Sequence, residues 1–553
     1  MSRRVAVIGG TGAFGGRLVE GLLATSDLPV VIAARRRQPA EEAAAALRAR
    51  YPGRAIEACV LDANVITADD LRRLDAWCVV DAAGPFQGAP PRVAEAAIAA
   101  RCHYVDLADA RAFVAAFPRL DGAARASGVL AVTGASTTPG LGQAVLDTLV
   151  RGWQRLDRVE IAISPGNRQP RGLSVVKAIL AGAGQPVRVF RDGRWTDLRG
   201  MSLLTRRRMP GLGRRWLFLI DTPDLDLVPL RFKPLRDALW YAGLELTVLH
   251  LGVWALSRLV AAGLLPSLVP LARPMRVVAD WFRSAGTGRG GMMVEAQGID
   301  RDGRAVVATW ALIAGEADGP HVPVLPALAV VRALAEGRLA RTGAMACAGL
   351  IPLSDFARDF ARLHIVTRTR MRPQALIARV VGASFERMPA PVRAAHSVDE
   401  RLRLAGRASV GGAASPLGRL LARLIGFPPA AADVPVSVEM RVERDGETWT
   451  RDFGGRTFRS RLAPGGRPGR ATERFGALTF DLVLAAGPDG LDLTITGGRL
   501  GPLPLPRFLL PRSAATERVD GDGRFRFDVP ISLPGVGQLV HYRGWLVPES
   551  RMG

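Results

Sequence analysis

The sequence predicts an α/β domain built on a parallel sheet, an inserted mixed α+β domain, and a C-terminal antiparallel β-rich (α+β) domain. Three observations lead there. Short apolar runs alternate with Ala-rich helical patterns up to about residue 135. Longer apolar segments and Asp-Gly hairpin turns then take over. After about residue 366 the chain becomes a series of closely spaced alternating strands. At 553 residues it is too long for one hydrophobic core, and its 48% hydrophobic content is ample for several.

In the first region VAVIG (5–9), PVVIAA (29–34), AIEACVLD (55–62), WCVVDAAG (77–84), CHYVDLA (102–108) and GVLAVTGA (128–135) read as buried strands. Between them lie helical patterns such as QPAEEAAAALRARYPG (38–53) and PPRVAEAAIAARC (90–102). This alternation, with short connections, means a parallel sheet covered on both faces. The first domain is therefore assigned to 1–135, the inserted domain to 136–320. TTPGLGQAVLDTLVRGW (137–153) opens the insertion with a Thr cap and Pro139 in the first helical turn. VRVFRDGRWTDL (187–198) and MMVEAQGIDRDGRAVVATWALIAGE (292–316) are predicted hairpins about Asp-Gly turns. VPVLPALAVVRALAEGRL (322–339) is predicted to be a helix returning to the first domain, which regains residues 320–365.

The segment 246–272 is apolar but for Arg258 and His250, with Pro266 and Pro270 near its end. Three readings stay open: a buried helical hairpin or substrate-tunnel wall, an interfacial helix on a membrane surface, and a membrane span. Arg-rich TRRRMPGLGRRW (205–216) lies upstream and suits anionic lipid. From 366 to 553, VPVSVEMRVERDGETWTRDF (434–453), ALTFDLVLAAGPDGLDLTITGG (477–498) and RFRFDVPISLPGVGQLVHYRGWL (524–546) alternate as strands of an antiparallel sheet. Helical patterns near 374–388 and 416–426 precede them.

The formal charge is +23, and all but two of the 74 basic residues are arginine. These are spread along the whole chain with only 6% aromatics, so no nucleic-acid partner is expected. Cys59, Cys78, Cys102 and Cys347 have no metal-ligand spacing, which predicts no metal site and a reduced compartment. The opening MSRRVAVIGG reads as a first strand and not an export signal. The expected location is cytoplasmic, with peripheral attachment at the inner face of the membrane if 246–272 meets lipid.

Gly10, Gly12 and Gly15 form a G-x-G-x-x-G directly after an apolar strand and at the start of an apolar-periodic helix. Such a turn brings backbone amides and a helix N-terminus to a pyrophosphate, as in a Rossmann-like dinucleotide domain. Gly9, Gly10, Thr11, Gly12, Ala13, Phe14 and Gly15 are the predicted cradle. At the end of the second strand an NAD site needs an acid; here Ala34 is followed by Arg35, Arg36 and Arg37. Arg35 can take a 2′-phosphate, so NADP(H) is preferred over NAD. Asp62 is expected at the adenine pocket, and Ala83, Gly84 and Pro85 where small residues let the cofactor lie close to the sheet.

VIGGTGAFGG (7–16), DAAGPFQGAPPRVAEAAIAARCHYVDLADA (81–110) and TGASTTPGLGQAVLD (133–147) together resemble the saccharopine dehydrogenase-like family. The resemblance implies nicotinamide-dependent redox chemistry and a substrate or dimerisation domain inserted before the last Rossmann elements. It also allows a homodimer. The family runs from amino-acid-pathway dehydrogenases to lipid-associated enoyl reductases, and the apolar middle segment is more similar to the lipid-associated branch. GASFERMPAPVRAAH (382–396), GFPPAAADVPVSV (426–438), WTRDFGGRTFRS (449–460) and LVHYRGWL (539–546) resemble the domain of unknown function numbered 4166, which carries no activity over.

None of the four tyrosines, Tyr51, Tyr104, Tyr241 and Tyr542, has a lysine four residues on, so a Tyr-x-x-x-Lys mechanism is excluded. His103 or Tyr104, in HYVDLAD with Asp106 and Asp109, is a candidate general acid; a structural strand-end cluster is the competing reading. Arg168 and Arg171 are candidate carboxylate clamps. Trp449, Arg451, Phe453, Glu517, His541, Tyr542 and Trp545 form a polar-aromatic set, either a small β core or a curved sheet around an apolar ligand. The expected function is an NADP(H)-dependent oxidoreductase acting on an enoyl or keto group of an apolar or lipid-like substrate, with no catalytic residue assigned. The alternatives are a non-catalytic NADP(H) sensor that binds a membrane or partner, and a saccharopine-type amino-acid dehydrogenase.

Overall fold

A computed structural model describes residues 3–169, 172–398, 400–443 and 445–549. Two compact units result: Met1–Gly298 with Ala308–Arg370, and Ile299–Val307 with Met371–Gly553.

The first unit begins with β1 (Arg4–Ile8), β2 (Val30–Ala34), β3 (Ile56–Val60), β4 (Ala76–Asp81), β5 (His103–Asp106) and β6 (Leu130–Thr133). The chain then runs through β7 (Arg155–Ser164), β8 (Pro186–Arg191), β9 (Arg194–Arg199), β10 (Thr205–Met209), β11 (Gly213–Leu219), β12 (Asp237–Ala242), β13 (Gly290–Ile299) and β14 (Ala305–Ala314). A helix, Leu325–Ala335, leads into β15 (Gly343–Ala346), and β16 (Ile365–Pro373) follows. The first sheet has the order β15-β6-β5-β4-β1-β2-β3 and is parallel throughout. Val5 to Ile8 and Val30 to Ala34 are all buried, as strands covered on both faces must be. The second sheet is mixed, ordered β10-β11-β12-β7-β13-β14-β16, with β8 and β9 attached to β12 as a hairpin. Residues 366–370, expected to open the C-terminal domain, instead belong to β16 at the edge of this sheet. Their pattern of exposed side chains is that of an edge strand.

The second unit contains β17 (Arg401–Gly411), β18 (Ala431–Val442), β19 (Glu447–Phe453), β20 (Arg456–Pro464), β21 (Arg470–Phe475), β22 (Leu478–Gly487) and β23 (Gly490–Leu500). The short β24 (Leu503–Pro504), then β25 (Ala514–Val519), β26 (Phe525–Leu533) and β27 (Gly537–Pro548), complete it. β23 pairs with both β24 and β25, the other neighbours in sequence pair antiparallel with one another, and β17 pairs with β27. The sheet thus closes on itself as an antiparallel barrel, in keeping with the antiparallel β-rich domain read from the sequence, which did not specify closure. Period-two alternation drives it: Val436, Val438 and Met440 on β18 turn inward while their neighbours stay outside.

The returning helix is buried from Leu325 to Leu334. It carries one charge, Arg332, so that guanidinium must find partners inside. Asp359 accepts at 2.6 and 3.2 Å, the Asp355 carbonyl at 3.3 Å and the Thr25 hydroxyl at 3.0 Å. Thr25 ends α1 (Gly15–Thr25), so this one cluster joins the first helix of the chain to the last part of the first unit. A second buried carboxylate, Asp224, accepts from the Thr138 hydroxyl (2.7 Å) and from Gln143 Nε2 (2.8 Å). Thr138 therefore ties two distant parts of the inserted domain together instead of capping the helix that follows it, as the sequence had suggested. Burial lifts the Asp224 carboxyl to about 6 against the hydrogen bonds from Gln143 and Thr138.

Truncating one partner of the Arg332–Asp359 pair leaves a buried charge alone. Asp359→Ala is expected to lower stability by about 3–5 kcal/mol in denaturant unfolding. The double change Arg332→Met/Asp359→Leu should recover most of that loss; a single-variant loss below ~1 kcal/mol would show that the pair does not join these segments.

Candidate functional site

The strand order of the parallel sheet reverses between β1 and β4, and the loops leaving their carboxyl ends meet there. Gly9 is the residue with a left-handed backbone (φ +75°), and a Cβ on it would lie 3.1 Å from Ala83 Cα. The glycine turn and the loop after β4 are thereby packed against each other. Gly15 is fully committed to packing: its Cβ would fall 2.1 Å from the Gly9 carbonyl oxygen. Gly12 differs, since its Cβ would meet only the Gly9 oxygen, at 3.1 Å, and the residue is exposed with Thr11 and Ala13. The turn is closed by Gly12 N–H donating to the Gly9 carbonyl (2.8 Å). Phe14 caps α1 without a side-chain bond, and the first turn holds no acid. Gly16 N–H donates to the Gly12 carbonyl (2.9 Å). The amides of Ala13, Phe14 and Gly15 precede the first i→i−4 bond inside the helix, and no acid in the first turn neutralises the helix dipole. An anionic pyrophosphate fits such a cradle.

Arg35 follows β2, is exposed, and makes no ion pair with any described residue, whereas Arg37 is paired with Glu41 at 3.4 Å. Ala34 occupies the strand end where an acid would face a ribose. Asp62 lies two residues beyond β3 and accepts from Asn64 N–H (3.0 Å) and Asn64 Nδ2 (2.9 Å), so it shapes its own turn. Ala83, Gly84 and Pro85 leave β4, with Ala83 N–H donating to Asp81 (2.9 Å). All twelve candidate residues thus lie along one carboxyl edge of the sheet.

The candidate acids fare differently. His103 begins β5, at the opposite edge, where its Nδ1 accepts from Leu130 N–H (3.0 Å) and its ring meets Trp77 edge-on. Tyr104 is completely buried and stacks on Phe117 at 5.9 Å. Neither faces the crevice, so neither is its general acid. Asp106 is likewise structural: one oxygen accepts from Gly134 N–H (2.7 Å), Ala108 N–H (2.9 Å) and Thr133 Oγ1 (3.0 Å). Arg168 donates to the Ser284 carbonyl (3.3 Å) inside the inserted domain and is not a clamp in the crevice, and Arg171 lies outside the described residues.

Beside the strand ends a cavity of about 230 Å³ opens between the loops after β4 and β5 and the inserted domain. Gln87, Asp109 and Arg111 line it from one side, Ile179, Gln185 and Met201 from the other. Gln87 Nε2 donates to Asp109 at 3.2 Å, and close packing around this solvent-reached carboxyl raises it above the usual range. Arg111 is spent on structure: it bonds Asp226 (2.6 Å), Asp221 (3.0 Å) and the Arg188 carbonyl (2.8 Å). Gln87 and Asp109 were visible in the sequence as residues just past two strand ends, but nothing there indicated which inserted elements would face them.

The saccharopine dehydrogenase NADP binding domain matches residues 5–132. The first domain is of this type. A domain of unknown function, DUF4166, matches residues 388–546. Apo saccharopine dehydrogenase (L-Glu forming) from Saccharomyces cerevisiae superposes over 67% of this chain and 99% of its own, at 12% identity and TM-score 0.49. GenD2 from gentamicin A biosynthesis, in complex with NAD, covers 55% and 71%, at 16% identity and TM-score 0.28. A probable dehydrogenase from Thermotoga maritima covers 44% and 68%, at 15% identity and TM-score 0.26. No curated protein matches the chain significantly. The domain match and the order of the parallel sheet support a NAD(P)-dependent oxidoreductase.

Asp81 and Asp106 sit side by side on β4 and β5, with the Tyr104 phenol beside both. Burial lifts Asp81 to about 6 and Asp106 to about 7, against their hydrogen bonds. A carboxyl raised above its unfolded value binds its proton more tightly in the folded state. Stability from this pair is therefore full below about 4 and falls as pH rises through about 7, levelling above it. Asp106→Asn, which keeps the three-bond acceptor, should flatten that fall in urea unfolding across the same range; an unchanged slope would place the titration elsewhere.

Proposed function

We propose that the chain is an NADP(H)-dependent oxidoreductase that reduces an enoyl or keto group of an apolar substrate. The observation that carries the reading is the glycine turn with its unopposed helix start, followed one strand away by Arg35 in place of an acid. Gly9–Gly15 would hold the pyrophosphate, Arg35 the 2′-phosphate, and Ala83, Gly84 and Pro85 would border the ribose and nicotinamide. The cofactor supplies a hydride when bound. The cavity at Gln87 and Asp109 is the place next to those strand ends for a substrate, with an apolar wall from Ile179 and Met201. Asp109, its carboxyl raised, is suited to keep a proton at that wall.

The 246–272 segment supports the apolar side of this reading. It forms one helix, Thr247–Ala261, and a turn into a second, Ala272–Trp281. His250 is fully buried, stacked on Phe218 at 4.2 Å, and burial lowers it to about 4. Elsewhere on these helices and their connection Val248, Leu264 and Trp281 are exposed by 62, 71 and 74%. Arg273, Arg276 and Arg283 accompany them. Among the described residues no helix is long and apolar enough to cross a membrane. An anionic bilayer surface suits this mixture of exposed apolar and cationic side chains.

Gly12→Val tests the cradle without the backbone collision that Gly15 would suffer, and is expected to abolish NADPH binding in a fluorescence titration. Arg35→Ala should weaken NADPH about tenfold or more while changing NADH little. Equal loss for both would refute the 2′-phosphate role. For the hairpin, Leu264→Asp/Trp281→Ala should lose co-sedimentation with anionic vesicles; wild-type protein remaining in the supernatant would remove the bilayer from the reading.

A further inference from the structure

The barrel of the second unit has ten strands in its ring: β17 to β23 and β25 to β27, each antiparallel to the next. Barrel diameter grows with strand number, and eight strands already enclose a lumen that side chains just fill or that holds one small ligand. Ten leave space, and a cavity of about 330 Å³ lies inside. Its wall is mainly apolar, from residues such as Met440, Phe480, Leu482 and Phe527.

The charges on this wall are already matched. Arg451 donates to Ser460 (2.7 Å) and Glu473 (3.0 Å), and Ser460 in turn donates to Glu473 (2.6 Å). His396 Nε2 is 2.5 Å from Glu517. Among the described residues of this wall, two buried side-chain polar atoms have no partner: the Tyr542 hydroxyl and His396 Nδ1, on residues only 5% and 2% exposed. Native interiors rarely leave such groups unsatisfied. Tyr542 is held in place by stacking on Phe453 at 4.9 Å and on Phe458 at 6.2 Å.

The lumen also reaches the surface. Ile425, at the end of the helix Pro416–Ile425, and Leu509 both line the cavity and are 48% and 47% exposed. Around them Leu420, Leu424, Leu503 and Phe508 are exposed too. An apolar path therefore runs from solvent to the interior.

We propose that this barrel binds one uncharged, elongated apolar molecule carrying a single hydroxyl or carbonyl oxygen, such as a long-chain alcohol or ester, with that oxygen at Tyr542. A carboxylate is disfavoured because the lumen has no unpaired cation to receive it. The site stands on the second unit alone and needs no nicotinamide, so it survives or fails independently of the redox reading.

The full chain is titrated with the neutral fluorophore N-phenyl-1-naphthylamine. Saturable uptake of one molecule per chain is expected, displaced by 1-dodecanol and about tenfold less well by dodecanoate. Ala515→Trp, which fills the lumen, should abolish uptake. Tyr542→Phe should weaken 1-dodecanol several-fold and leave dodecane unchanged, a contrast that still decides the matter if the tryptophan variant misfolds. Absence of saturable uptake, full uptake by a folded Ala515→Trp protein, equal loss of dodecanol and dodecane in Tyr542→Phe, or tighter binding of dodecanoate than dodecanol would each overturn the proposal.

Discussion

The first unit depends on one constraint: a chain that leaves a parallel sheet after β6 must come back to finish it. About 200 residues separate β6 from β15. The returning helix Leu325–Ala335 is buried on every side, and it pays for that burial by fixing Arg332 to Asp359 and to the end of α1. An apolar helix alone would find many near-equivalent seats in a core. A buried guanidinium with four matched acceptors has one. Gly21 adds a steric condition, because a Cβ there would fall 2.4 Å from Leu328. The result is that α1, whose start forms the glycine cradle, is held from behind by the last elements of its own unit.

That arrangement decides where an active cavity can be. Because the inserted domain is tethered through Asp221 and Asp226 to Arg111, its helix Leu173–Ala181 and the hairpin after it face the loops after β4 and β5. The strand ends supply Gln87 and Asp109, and the insertion supplies the apolar wall. Charged residues near this site divide by employment. Arg111, Asp221 and Asp226 are consumed in holding the domains together, whereas Asp109 lines the cavity with the neutral Gln87 as its side-chain partner. The proposed proton position at Asp109 arises from one loop being covered by a domain inserted later in the chain.

Legibility in the sequence followed the range of the interactions. The six first strands, the glycine turn, Arg35 and the hairpins about Asp192-Gly193 and Asp302-Gly303 were readable because local periodicity and turn chemistry specify them. His103 and Tyr104 stay open between a general acid and a structural cluster because a four-residue strand has two ends and two faces, and the sequence alone does not say which end meets the crevice; the structure favours the cluster. Thr138 looked like a cap because its neighbours suit one; its partner, Asp224, is 86 residues away. Closure of the C-terminal sheet was also illegible. It rests on the pairing of β17 with β27 and of β22 with β23, and alternation along each strand is the same in an open sheet and a barrel.

Two buried tyrosines show how the surroundings, and not burial itself, separate structure from site. Both Tyr104 and Tyr542 have hydroxyls without a geometric hydrogen-bond partner. Tyr104 sits beside Asp81 and Asp106, carboxyls raised to about 6 and about 7, so protons are close at hand and the group is closed within packed side chains. Tyr542 faces a lumen whose ions are paired with one another and whose remaining wall is hydrocarbon. No protein group is placed to answer it, and water there would meet few other polar atoms. On the proposed reading the unmet hydroxyl in the barrel answers to a ligand that arrives from outside, and the apolar path past Ile425 and Leu509 limits what that can be.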